Sequence, residues 1–62
     1  MIVRLHHVRE ARLCLGGARQ WFKANNLSWQ DFLDNGIEGE KLREIGDPIG
    51  LRVLEIAERE NA

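Results

Sequence analysis

His6, Glu10 and Cys14 are the residues whose types and spacing come nearest to chemistry. At i, i+4 and i+8 they would line one face of an unbroken helix, and imidazole, carboxylate and thiolate all ligate zinc. Three donors make an incomplete closed site, however, and the segment lacks the capping residues that would join it into one continuous helix. Cys14 also begins the stripe Cys14, Ala18, Trp21 and Phe22, where a free cysteine serves as a small apolar residue. No metal and no other cofactor is therefore expected, and His6 and His7 read as ordinary surface side chains.

Nucleophilic catalysis has little to work with. Ser28 is the only serine, there is no threonine or tyrosine, and Ser28 is better used as a helix cap. Cys14 has histidines nearby in sequence but no third group to orient them. The carboxylates are spread along helix surfaces, and no glycine pattern follows a strand to cradle a phosphate. The expectation is a protein that is not an enzyme.

The formal net charge of -1 hides an uneven distribution. Met1 to Leu27 carries five basic residues (Arg4, Arg9, Arg12, Arg19 and Lys23) against Glu10 alone, a net of +4. From Ser28 onward four basic residues face nine acidic ones, a net of -5. Such asymmetry speaks about partners and not about fold. It suits docking onto an acidic partner or head-to-tail self-association, and it is equally met by two faces of one compact domain that offset each other.

Nucleic acid is the competing partner. A helix-turn-helix unit would pair Ala18–Asn26 with Trp29–Asn35 as the reading helix. That second helix carries Asp31 and Asp34 and neither lysine nor arginine. Phosphate attraction dominates affinity, so an acidic reading helix is a poor design, and the pI of about 6.1 is low for the class. Arg12, Arg19 and Lys23 remain suited to phosphate contact without base readout.

The elements that must position these residues are short helices. With 62 residues, 44% of them hydrophobic and 31% charged, residues 1–62 read as one small globular domain. A chain this short buries only about 60% of the surface it exposes when unfolded. One cysteine cannot form an internal disulfide, no run approaches the length of a membrane span, and Met1–Leu5 lacks a signal-peptide pattern. The cytoplasm is the expected location, with no membrane association.

Gly46-Asp47-Pro48 is the clearest boundary: glycine past a helix end, aspartate as N-cap, proline at the first helical position. One helix should end near Ile45 and another run from Pro48 to about Glu60, burying Ile49, Val53, Ile56 and Ala57 with Leu54 beside them. Ser28 caps a helix through Leu33 that Gly36 ends, with Asp31 in its first turn. Ile37 then leads into a short helix through Leu42 and Ile45. The helix bearing Trp21 and Phe22 should stop around Asn25-Asn26. Gly16-Gly17 marks either its start or a close helix approach. Residues 2–5 are open to a brief extended segment, and His7–Ala11 to a single helical turn. The fold class is all-α, a single compact bundle of four or five short helices. Trp29, beside Leu27 at the start of its helix, is placed either as a staple or as a partly exposed anchor.

The run Leu13–Phe22, then Leu27-Ser28-Trp29-Gln30-Asp31-Phe32, Gly36-Ile37 and Gly46-Asp47-Pro48, closing with Glu55-Ile56-Ala57, resembles a group of short proteins of tailed phages and prophages of proteobacteria. Pro48 departs from the small residue common there. The resemblance implies a phage origin and carries no catalytic or cofactor residue. With it, the sequence is expected to encode an interaction module that assembles with another phage structural or assembly protein, in head–tail or tail assembly, in the host cell or the virion. Its candidate partner-binding residues are Arg9, Arg12, Arg19, Lys23 and Trp29. A small DNA-binding or gene-regulatory protein using the same basic face is the alternative.

Overall fold

A computed structural model describes residues 1–61. Its elements run β1 (Ile2–Val3), α1 (Leu5–Glu10), α2 (Leu15–Ala24), α3 (Trp29–Asn35), β2 (Ile37–Glu38), α4 (Gly39–Ile45) and α5 (Pro48–Glu60). The fold is mostly helical, not purely so. Ile2 pairs with Glu38 and Val3 with Ile37 in a two-stranded antiparallel sheet, and the Gly39 amide donates to the Met1 carbonyl at 2.9 Å. Ile37 thus begins a two-residue strand before α4 instead of leading straight into a helix. This pairing brings the N-terminus beside the start of α4, a contact between residues more than thirty positions apart that no local pattern announces.

Helix ends follow their caps. The Ser28 hydroxyl accepts from the Asp31 amide, while the Asp31 carboxylate turns to Asn35 instead of completing a capping box. The Asp47 carboxylate accepts from the Ile49 amide to open α5, with Pro48 in the first turn. Cys14 is exposed and opens α2 as its N-cap, its Sγ accepting from the Gly17 amide, so it is not the small apolar core residue expected. Gly16 has open space around the site of a Cβ, which assigns the glycine pair to the start of α2.

Two C-termini close with Schellman motifs. In α2 the Leu27 amide reaches the Phe22 carbonyl at 2.8 Å, and Asn26 holds the left-handed conformation at φ 58°. In α1 the Arg12 amide bonds the Arg9 carbonyl at 2.9 Å, the Leu13 amide approaches the Val8 carbonyl at 3.4 Å, and Arg12 itself sits at φ 61°. An L-residue with a long side chain costs about 1–2 kcal/mol in that conformation.

The core gathers Val3, Val8, Ala11, Ala18, Phe22, Phe32, Leu42, Val53, Leu54 and Ala57. Phe22 and Phe32 meet with ring centroids 4.7 Å apart, and Trp29 closes the cluster at 5.2 Å from Phe22 and 5.4 Å from Phe32. The buried stripe of α5 is Gly50, Val53, Leu54 and Ala57. Ile49, expected inside, is 44% exposed, and Ile56 only partly covered. Gly50 takes the inner position because the Trp21 ring lies where a side chain would go, 3.1 Å from the site of a Cβ. No helix among the described residues is long and apolar enough to cross a membrane.

Candidate interaction surface and histidine cluster

Arg9, Arg12, Arg19 and Lys23 are all exposed. Arg19 and Lys23, four positions apart on α2, share one helix face beside the buried Ala18 and Phe22. Arg9 lies in the last turn of α1 and Arg12 just past it. Among the described residues none of these four makes an ion pair, whereas Arg43 pairs with Glu58 at 3.0 Å and Arg59 with Glu55. Arg43, held by Glu58 first and Glu40 second, has its pKa raised.

Trp29 is half-buried. One part of its indole packs on Phe22 and Phe32, and the rest meets solvent. It therefore both fastens α3 to α2 and presents apolar surface beside the cationic helix. The reading helix of the helix-turn-helix expectation, α3, exposes Asp31 and Asp34, which accept from Asn35 at 2.9 Å and Gln30 at 3.1 Å.

Sequence reasoning missed the most distinctive polar cluster. His7 is 2% exposed, not a surface residue, because it lies on the α1 face that packs against α5. Its Nδ1 accepts from the Arg4 backbone N–H at 2.9 Å and caps the start of α1. An accepting Nδ1 has no proton, so in neutral His7 the proton resides on Nε2. That Nε2 lies 3.2 Å from Glu60 Oε2 but is not aligned for a hydrogen bond, and it has no other partner. His6, on the solvent side, brings its Nε2 to 3.1 and 3.0 Å from the two oxygens of the same carboxylate.

The His6 hydrogen bond holds the Glu60 carboxyl below its ordinary pKa; partial desolvation opposes this, and His7 adds to the lowering. Glu10, the middle member of the His6-Glu10-Cys14 spacing weighed from sequence, lines an open groove of about 600 Å³ with Arg52, Glu55, Ile56, Arg59 and Glu60. Cys14 lies outside the cluster, since α1 ends at Glu10 and the chain turns at Arg12. The signal that would have found the cluster is the length of α5, which carries Glu60 back to the start of the chain. No known protein family, curated protein or solved structure matches this chain.

Proposed function

We propose that this protein is a non-enzymatic interaction module that docks an acidic surface of a partner protein onto Arg9, Arg12, Arg19 and Lys23, with Trp29 as the adjoining aromatic contact. The observation that carries this reading is the backbone of Arg12. A left-handed position closing a helix is most cheaply filled by glycine or asparagine, yet here it holds an exposed arginine without an acidic partner among the described residues. Strain at an exposed charged residue motivates a functional role for its side chain. The three other exposed cations, none in an ion pair among the described residues, give that role an electrostatic sense, since matched surface charge speeds encounter and selects partners.

The resemblance to short phage and prophage proteins supplies the setting. In it the partner is another structural or assembly protein of the phage, and the module works in head–tail or tail assembly in the host cytoplasm or the virion. A second copy, offering its acidic half, would satisfy the same chemistry. The runner-up reading places DNA phosphates on these cations, and the acidic surface of α3 weighs against it. Capture of partners by the native chain and by an Arg19→Glu, Lys23→Glu variant, with and without nuclease and with salt varied, tests the proposal. Loss of a nuclease-resistant protein partner in the variant supports it, and recovery of nothing but nuclease-sensitive DNA overturns it.

A further inference from the structure

We propose that His6, His7 and Glu60 form a binding site for a divalent transition-metal ion of the Zn²⁺ class, independent of the docking surface. Two remote elements, the start of α1 and the end of α5, deliver two imidazoles and a carboxylate whose donor atoms lie within 4.8 Å of one another. Both Nε2–Oε2 separations, 3.0 Å from His6 and 3.2 Å from His7, are close to what neighbouring ligands need. Around an ion with bonds of about 2.0–2.2 Å, adjacent donors stand about 3.0–3.4 Å apart. His6 and Glu60 are exposed, so their side chains are free to rotate and close the remaining gap.

A second observation is independent of this proximity. The His7 ring is buried, and its Nε2, 3.2 Å from the carboxylate, has no hydrogen-bond partner. A buried polar atom left without a partner is costly, and ligation would satisfy it. The ligand set also suits the ion: imidazole with one carboxylate is a borderline donor set chosen by zinc, nickel or copper over magnesium or calcium. The adjoining groove holds Glu10 and Glu55 with Glu60 against Arg52 and Arg59, which leaves one negative charge in excess. Water completes the coordination.

The tautomer of His7 gives the site a signature. A metal on Nε2 takes the lone pair of that nitrogen, so the ring proton moves from Nε2 to Nδ1. Nδ1 then no longer accepts from the Arg4 amide, and that partly buried N–H loses its partner. Binding is therefore coupled to the cap of α1, at some expense in affinity. A hydrogen-bonded His–Glu cluster with no metal has no such coupling.

The test is titration of the metal-free Cys14→Ser chain with Zn²⁺, followed by calorimetry and by NMR of the histidine rings and backbone amides. Serine is a strong N-cap, so this change removes a competing thiolate while keeping the start of α2. The expected result is saturable one-to-one binding that perturbs both histidine rings, raises the thermal midpoint and speeds exchange of the Arg4 amide. His6→Ala and Glu60→Gln, both at exposed positions that leave the core intact, should each weaken binding about tenfold or more. Absence of saturable binding at millimolar Zn²⁺, or unchanged affinity in these two variants, overturns the proposal.

Discussion

The Trp21 indole N–H donates to Asp47 Oδ2 at 2.9 Å, and the same oxygen accepts from the Ile49 amide. One carboxylate thus starts α5 and ties it to α2, the helix that carries Arg19 and Lys23. Trp21 in turn lies over Gly50, so the cap, the indole and the missing side chain form one joint. Asp47→Ala removes the cap and leaves a partly buried indole N–H without its partner. The expected cost is about 2–3 kcal/mol by chemical denaturation. Asp47→Asn keeps an acceptor oxygen and should lose clearly less.

Arg12 gives the account a prediction in which stability and binding move in opposite directions. Arg12→Gly relieves the left-handed backbone and should raise stability by about 1 kcal/mol. The same change removes one docking cation and should weaken partner binding. Denaturation and a binding titration on the same protein sample check both halves. A variant more stable and equally competent to bind would detach Arg12 from the proposed surface.

The glycines separate by position. A Cβ at Gly39 would lie 2.8 Å from Leu54 Cδ1, in the buried joint between the sheet and α5. Gly39→Ala should therefore destabilise the fold by about 1–3 kcal/mol. Gly16, in the first turn of α2 with nothing near it, should tolerate alanine and gain about 0.5 kcal/mol. Thermal melts of the pair give opposite signs if the packing is as described.

Glu60 sets an acid dependence in metal-free solution. Its carboxyl is held below the ordinary value, chiefly by the His6 hydrogen bond, so the folded state binds this proton less readily than the unfolded one. The contribution is present above the unfolded carboxylate pKa and is lost as pH falls through the lower folded value. Melting midpoints of the native chain and Glu60→Gln should differ near neutrality and converge in acid. Parallel curves at all pH values would contradict this.

Much of the helical frame was legible because its signals are local. Gly46-Asp47-Pro48 and Ser28 mark their boundaries through backbone chemistry that acts within a few residues, and α3 and α5 begin where that chemistry places them. Gly50 was illegible as a core position because a glycine carries no hydrophobic signal; what fills its place is the Trp21 ring from another helix. The extended segment at residues 2–5 was open in the sequence, but β2 and its pairing with β1 were hidden, since the pairing joins the two halves of the chain and neither strand is long enough to alternate. His7 looked polar and therefore exposed. Only the return of α5 to the start of the chain buries it and brings Glu60 to the paired histidines. The cations of the candidate surface were readable as charge, but the strain at Arg12 that singles it out is a property of the folded backbone.

The most direct test of the proposed docking face is capture from phage-infected or prophage-induced cells, with and without nuclease, of partners of the native chain and of the Arg19→Glu, Lys23→Glu variant. Both positions are exposed on α2, so the variant should fold as the native chain does, which circular dichroism verifies. The account predicts that the native chain retains an acidic protein partner after nuclease treatment, that salt weakens the capture, and that the variant loses it. Equal capture by the two proteins, or recovery of nuclease-sensitive DNA alone, would contradict it.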